Sequence, residues 1–415
     1  MDFHWLVPLY RRHGRWLLRL LALLAGGVAL KSFFIDPLTG HFAGDFEDFS
    51  AYIGAARSMA HGGSPYAGFS GATVVMSGFD YPPFAAVLLR PLALLSDHVA
   101  LVVWLALSVA CGVAGTVVLA RAVLPATWPR VELAVVAALA FAPAAYNYWH
   151  GQINTVVFLL LALAFHAYVR DRQMRAGLLL GLAAGIKIAP LLLIVLLMRR
   201  RWWRASIAML ATAAATAVVA IAALGFNVTK QFVTDVLPVL NRGTGWIYNQ
   251  TVPGAINRVF DHSVVHVDAA SSAVATLSIA GAVALVLVVA WAVSPAGRTS
   301  HARGVEFGLG VTATVLAGSI AWFPHFVHLL IPLFAAAGLL AAQGRRPRRA
   351  LLKSAGATLV VFGVVAPLVI AVLTADWLRP LQGGPGWWLF LQLCSLPCAV
   401  ALWFAVSLGR TARTA

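Results

Sequence analysis

Residues 176–198 read AGLLLGLAAGIKIAPLLLIVLLM, and the basic run Arg199-Arg-Arg-Trp-Trp-Arg204 follows at once. The stretch is long and apolar enough to cross a bilayer core of about 30 Å. Its middle argues otherwise, because Gly185, Lys187 and Pro190 fall within six residues of one another. Proline removes a backbone donor and breaks a helix, and broken backbone at membrane depth survives only where protein or a polar cavity receives it. Charge gives a second argument. If 176–198 crossed fully, Arg199, Arg200, Arg201 and Arg204 would lie outside, and so would the later run RRPRR at 345–349. If the segment enters and returns, every basic loop falls on one side, as the positive-inside rule requires. The sequence therefore predicts a re-entrant helical hairpin over 176–198.

The rest of the chain agrees with a membrane-embedded reading. Of 415 residues, 61% are hydrophobic and only 11% charged, less than half the charge an ordinary soluble domain carries. Apolar runs predict spans near 16–35, 98–120, 131–149, 153–169, 204–225, 271–293, 305–323, 325–342, 351–373 and 386–408. The expected fold is an all-α polytopic membrane protein of ten full spans in one domain over 1–415, with both termini cytoplasmic. The formal net charge of +16 would point to nucleic acid in a soluble chain. Here the basic residues cluster between apolar runs, as topology signals do, and no nucleic-acid partner is expected. Cys111, Cys394 and Cys398 lie in apolar runs without metal-ligand company, so packing explains them better than a metal centre or a bridge. The first run follows a basic segment and lacks a small-residue cleavage signal, so it reads as a retained span.

Two segments are too polar to span, 36–97 and 226–270, and both fall on the extracytoplasmic side of this topology. Helical stretches at 46–59 and 231–240 can lie along the membrane surface. In the first loop, Asp45, Asp48 and Tyr52 share one helical face at i, i+3 and i+7. Asp45 and Asp48 also suit a helix start, as cap and first-turn acid. Gly62-Gly-Ser-Pro-Tyr66 and Phe79-Asp-Tyr-Pro-Pro-Phe84 follow in the same loop, Gly151-Gln-Ile-Asn154 after the third span, and Gly181-Leu-Ala-Ala-Gly-Ile-Lys-Ile-Ala-Pro190 in the hairpin. Consecutive prolines after Tyr81 fix an extended chain. Gln152 and Asn154 either bond polar groups of a ligand or cap the helix that follows. Lys187 either meets an anion or bonds carbonyls freed by the break.

This succession resembles glycosyltransferase family 87, membrane enzymes of the GT-C type that use polyprenyl-phosphate sugars. The likeness rests on Asp-x-x-x-Tyr, Gly-x-x-x-Tyr, Tyr-Pro-Pro, Gly-Gln-x-Asn and Gly-x-Lys-x-x-Pro between about residues 44 and 204. A weaker echo runs through Tyr248-Asn-Gln-Thr251 and Ala321-Trp-Phe-Pro-His-Phe-Val-His328. The resemblance implies an inverting or retaining transfer from a polyprenyl-phosphate sugar, most commonly mannose, to a glycolipid or glycan hydroxyl on the outer face of a bacterial cytoplasmic membrane. It carries the general base onto Asp48, the carboxylate before the Tyr of Asp-x-x-x-Tyr, with Asp45 as the alternative. A sugar hydroxyl is a poor nucleophile, and a fixed carboxylate can take its proton as the new bond forms. A lipid phosphate leaves as a stable anion and needs donors or positive charge nearby.

Lys187, Arg242, Arg258, His325 and His328 are the candidates for that role, and the family pattern favours His325 over His328, although Pro324 disturbs the register. Tyr52, Tyr81, Gln152, Asn154, Asn249 and Gln250 complete the expected substrate-binding set. Trp246, Trp322, Trp377, Trp387 and Trp388 read as interface anchors, one of which can stack on a sugar. No cofactor and no metal are expected, since the outer acids are few and dispersed. An arabinofuranosyltransferase of the same fold is the neighbouring alternative. A transporter or flippase of lipid-linked sugars is the alternative of another class, but it would hold ionisable residues at mid-membrane on several broken helices, and here only Lys187 qualifies.

Overall fold

The computed structural model describes residues 14–36, 39, 46–67, 69, 78–261, 271–292, 299–342, 349–366 and 395–413. Asp45, His262, Cys394, Trp377, Trp387 and Trp388 lie outside them. All regular structure in the described residues is helical. In chain order the long elements are α1 (Arg15–Leu30), the surface helix α2 (Glu47–Ala60), α3 (Pro83–Leu89), α4 (Asp97–Val123), α5 (Arg130–Ala140), α6 (Ala142–His150) and α7 (Asn154–Val169). There follow α8 (Gln173–Ile186), a tight turn of helix at Ala189–Leu193 leading into α9 (Ile194–Arg199), and α10 (Trp203–Leu224). The second loop carries α11 (Phe226–Gln231), a wider turn at Phe232–Val236, α12 (Leu237–Arg242) and α13 (Val252–Asp261). The last elements are α14 (Ser272–Ala292), α15 (Ser300–Ala317), a tight helical segment at Phe323–Leu329 leading into α16 (Leu330–Ala342), α17 (Arg349–Val360) and α18 (Leu396–Arg413).

Side-chain contacts distinguish two ends of the bundle. Arg15 Nη2 donates to the Thr127 carbonyl and Arg19 pairs with Glu132. Arg199 Nε donates to the Ala290 carbonyl, and Arg303 to that of Val169. These basic residues gather at one end of the bundle. At the other end the Phe46 amide donates to the Trp149 carbonyl, Trp104 Nε1 to that of Gly151, and Arg258 Nε to Ser395 Oγ. Among the described residues, each predicted apolar run is helical in whole or in part.

Their lengths depart from ten uniform spans. Four helical stretches are long and apolar enough to cross a membrane on length and composition alone: Asp97–Val123, Trp203–Leu224, Ser272–Ala290 and Phe323–Ala342. The expected span 131–149 is two helices, α5 and α6, bent by 56° at Phe141. Pro143 stands in the first turn of α6, where its missing N–H costs nothing. α7 is only 16 residues long, and its inner face is buried protein rather than lipid-facing surface. Lipid-facing character is concentrated on α1, α10 and α14, where Leu24, Val218 and Leu287 are more than half exposed.

The chain between Tyr168 and Trp202 doubles back on itself. The two rings lie 4.6 Å apart at the basic end of α7, while Lys187 Nζ, midway between them in sequence, donates at 2.8 Å to Asn154 Oδ1 at the opposite end of α7. A 16-residue helix is about 24 Å long, so α8 climbs that distance and the arm 189–199 descends it. Glycine explains the packing of the climbing arm. Gly177, Gly181 and Gly185 repeat at four-residue spacing on one face of α8 and sit against Ala205, Met209 and Thr216 of α10. Any Cβ there would run into the Ala205 and Met209 carbonyl oxygens or the Thr216 side chain. Small residues at this spacing let helix backbones approach closely, the usual basis of helix association in membranes.

Candidate active site

Asp48 stands in the first turn of α2, but its side chain does not serve the helix end. The helix starts at Glu47 with Phe46 in the left-handed region (φ 49°) and no side-chain cap. Instead, Asp48 Oδ2 accepts a hydrogen bond from Gln152 Nε2 at 2.8 Å. Gln152 Oε1 accepts in turn from Asn154 Nδ2, and Asn154 Oδ1 from Lys187 Nζ. Asn154 therefore begins α7 without capping it, the cap position being Ile153 with no side-chain bond. Lys187 bonds a side-chain amide rather than a carbonyl freed by the helix break.

Tyr52, one turn after Asp48, is buried with Tyr81. Its hydroxyl donates to Tyr81 Oη at 3.0 Å and accepts the Ile153 amide at 3.2 Å. Tyr66 Oη donates to the Tyr81 carbonyl at 2.8 Å, and the Tyr66 ring stacks on Phe232 from the second loop. Ser64 Oγ donates to Gln231 Oε1 at 2.6 Å, so the two polar loops meet above the site. Pro82 is extended and Pro83 opens α3, the conformations prolines favour. This locks Tyr81 so that the Lys187 ammonium lies 5.3 Å from its ring centroid, within cation–π range.

Burial divides the group in two. Gln152, Asn154, Tyr52 and Tyr81 are buried, whereas Asp48, Asp80 and Lys187 keep part of their surface open. Protein atoms nevertheless surround all three closely enough for burial to dominate their ionisation. Burial pushes the Asp48 carboxyl up to about 7; the Gln152 amide, His150 and Lys187 oppose the rise, and Asp80 adds to it. Burial likewise raises Asp80 to about 6, against the pull of Lys187. A carboxyl poised near neutrality is suited to general-base work. Burial and the neighbouring acids hold the Tyr52 and Tyr81 phenols protonated, well above their ordinary range. Asp80 is the residue the sequence reading passed over, although it sits directly before the Tyr-Pro-Pro motif.

The histidines approach from the Phe323–Leu329 segment. His328 Nε2 lies 3.3 Å from the Asn154 carbonyl oxygen and His325 Nδ1 3.0 Å from that of Trp322. Both are buried. Asn249, Gln250 and Arg258 form a separate cluster behind this segment. Asn249 Nδ2 donates to the Thr244 and Ser319 carbonyls, and its Oδ1 accepts the Ala321 amide. The Gln250 amide and side chain bond the Ala321 and Ile247 carbonyls. Arg258 Nη1 donates to the carbonyls of Gly245, Trp246 and Asn249. Asn249 and Gln250 thus brace the second loop against the chain leading to His325, while Arg258 ties the second loop to itself and to Ser395. Trp246 and Trp322 pack edge to face at 5.2 Å in the same region, and Arg242 is exposed. Among the described residues no three His, Cys, Asp or Glu side chains converge as metal ligands.

Residues 79–319, more than half of the chain and including Asp80, the Gly-Gln-x-Asn turn and the hairpin, match the model of Glycosyltransferase family 87. The chain belongs to glycosyltransferase family 87. It is a membrane glycosyltransferase, and the resemblance carried by its five short motifs is a true kinship. Among relatives of this family 87 protein, one from Mycobacterium tuberculosis is a polyprenol-phosphate-mannose-dependent alpha-(1-2)-phosphatidylinositol pentamannoside mannosyltransferase. The two are 29% identical over 326 residues, covering 76% of this chain and 70% of the relative. A second M. tuberculosis protein, a polyprenol-phosphate-mannose-dependent alpha-(1-2)-phosphatidylinositol mannoside mannosyltransferase, is 27% identical over 398 residues, 91% of this chain and 90% of the relative. A crystal structure of ArnT from Cupriavidus metallidurans bound to undecaprenyl phosphate aligns over 94% of this chain and 77% of ArnT, with 16% identity and a TM-score of 0.45.

Proposed function

We propose that this family 87 enzyme transfers mannose from a polyprenyl-phosphate donor to a hydroxyl of a phosphatidylinositol-mannoside-like glycolipid, with Asp48 as general base. The observation that carries the proposal is the pairing of one carboxyl and one ammonium in the same hydrogen-bonded group. A partly exposed carboxyl raised to about 7 is held by Gln152, and the Lys187 ammonium, bonded to Asn154 and lying over Tyr81, acts on its charge. In the transfer, the bond between the sugar C1 and the lipid phosphate oxygen breaks and a bond from C1 to the acceptor oxygen forms. The acceptor proton goes to Asp48, and the leaving lipid phosphate keeps the electron pair and gains negative charge. Lys187, with His325 and His328 behind it, is the group suited to meet that charge, since preorganised donors in a water-poor site stabilise it without reorganisation. The donor and acceptor classes come from the names of the relatives.

Asp48 and Lys187 lie at the end of the bundle opposite Arg15, Arg199, Arg200 and Arg303. By the positive-inside rule that end faces outward, where a lipid-linked donor meets a glycolipid acceptor in the outer leaflet. The described parts of the two polar loops, joined through Ser64 and Gln231 and through Tyr66 and Phe232, then lie on the extracytoplasmic side. The test is transfer from radiolabelled polyprenyl-phosphate mannose to membrane glycolipid by purified enzyme, beside Asp48→Asn and Asp45→Asn. Transfer by the wild type that falls about 10²- to 10⁴-fold in Asp48→Asn, with Asp45→Asn active, supports both substrate and base. Arabinose transfer without mannose transfer would move the donor assignment.

A further inference from the structure

We infer that Gln152 and Asn154 are positioning residues, a one-way hydrogen-bonded bridge that ties the orientation and ionisation of Asp48 to the cation at Lys187. The inference rests on the proposed role of Asp48. The bridge has three links: Lys187 Nζ donates to Asn154 Oδ1, Asn154 Nδ2 to Gln152 Oε1, and Gln152 Nε2 to Asp48 Oδ2.

Its polarity is forced from both ends. An ammonium can only donate and an ionised carboxylate can only accept. Each carboxamide between them must therefore turn its oxygen toward lysine and its nitrogen toward aspartate. Flipping either one would set donor against donor and acceptor against acceptor in a buried place, where unmade bonds are costly. Gln152 is 3% exposed and Asn154 not at all, so a sugar hydroxyl has little surface to reach on either. The bridge is also clamped along its length. The Ile153 amide, between the two residues, donates to Tyr52 Oη, and the Asn154 carbonyl meets His328 Nε2.

The arrangement has a functional consequence. Lys187 has three donors, one of which the bridge uses, leaving two for an incoming anion. At the other end Gln152 occupies Asp48 Oδ2, so Oδ1 is the oxygen left for the acceptor proton. Chains of hydrogen bonds polarise one another, so a change at Lys187 reaches Asp48 through the two amides. The other groups facing Asp48 are His150 from α6, Asp80 from the first loop, and the Tyr52 and Tyr81 phenols. None of them belongs to the bridge.

Asn154 distinguishes the bridge from ordinary contact, because it acts on Asp48 only through Gln152. The midpoint of the Asp48 carboxyl is followed by infrared titration of the purified protein without substrate, for wild type, Gln152→Leu, Asn154→Leu and the milder Asn154→Ala. All three variants are expected to raise the midpoint by half a unit or more. Melting curves identify any variant that does not fold, and Asn154→Ala serves if Asn154→Leu is lost. An unmoved midpoint in a folded Asn154 variant overturns the bridge whether or not the enzyme reading holds. With the active enzyme, Gln152→Leu should lower kcat at least tenfold with acceptor KM within about twofold. A rise in acceptor KM at unchanged kcat would instead make Gln152 a sugar ligand. Absence of mannosyl transfer by the wild type would remove the functional reading and leave the titration to judge the bridge.

Discussion

Tyr168 and Trp202 touch at 4.6 Å although the whole of α8 and the descending arm lie between them in sequence. The contact puts Arg172 and Arg201 at one end of the molecule and Lys230, beyond α10, at the other. Single cysteines at these three exposed positions should reveal this to a membrane-impermeant thiol reagent. Arg172→Cys and Arg201→Cys are expected to label together after permeabilisation, and Lys230→Cys in intact cells. Labelling of Arg201→Cys together with Lys230→Cys would mean that 176–198 crosses the membrane.

The raised Asp48 carboxyl gives the enzyme a pH signature. A general base works ionised, so turnover should climb with pH through about 7, the value to which burial lifts this carboxyl. Asp80 contributes to the rise through its own charge. Asp80→Asn removes that repulsion, makes Asp48 easier to ionise and should move the acid limb of kcat toward lower pH. The profile of kcat from pH 5.5 to 9 checks both. An acid limb that stays in Asp48→Glu yet vanishes in Asp80→Asn would assign it to Asp80 instead.

The same burial costs stability. An unfolded aspartate ionises near 3.8 and this one near 7, so between those values the native state holds the extra proton. Stability therefore falls as pH rises through that window, and the loss is complete above about 7. The full shift would correspond to about 4 kcal/mol; partial exposure of the carboxyl reduces it to about 1–2 kcal/mol. Asp48→Asn keeps the acceptor for Gln152 without the charge. It should melt a few degrees higher than wild type at pH 8 and no higher at pH 4. A lower melting temperature at pH 8 would mean that the carboxylate is stabilised in the fold after all.

Helix positions and the reversal of the chain between Tyr168 and Trp202 were legible in the sequence because they follow from coarse physics, namely hydrophobic length, Pro190 at mid-segment and the distribution of arginine. The grouping of Asp48, Tyr52, Tyr81 and Lys187 was legible through short motifs. Side-chain direction was not. Gln152 and Asn154 are good helix-start residues by type, and only the approach of α2 and the hairpin tip turns them from the helix end toward Asp48 and Lys187. Arg258 reads as an anion ligand by type, yet its bonds to Gly245, Trp246 and Asn249 brace a loop. The 56° bend at Phe141 was hidden because both halves are apolar and together have the length of a span. Gly177-x-x-x-Gly181-x-x-x-Gly185 was readable as a packing face, but its partner is fixed only by the parallel course of α10.

The descending arm of the hairpin is fastened by Arg200 and Glu306. Arg200 Nε donates to Glu306 Oε2 at 2.6 Å, and Tyr168 Oη reaches the same oxygen at 3.3 Å. Both charged side chains are less than a tenth exposed, and the guanidinium also lies over the Tyr168 and Trp202 rings. Removing one partner leaves the other charge buried, a loss of about 3–5 kcal/mol, whereas replacing both with apolar residues of similar volume is often neutral or better. Glu306→Leu alone should therefore lower the melting temperature markedly and reduce transfer, because the arm holds the Lys187 tip. The double variant Arg200→Met, Glu306→Leu should recover most of the stability, and comparison of the single and double variants measures the coupling. Equal and additive losses would show that the pair contributes nothing as a pair. Recovery of stability without recovery of transfer would show that the arm needs this fastening to hold Lys187 in register.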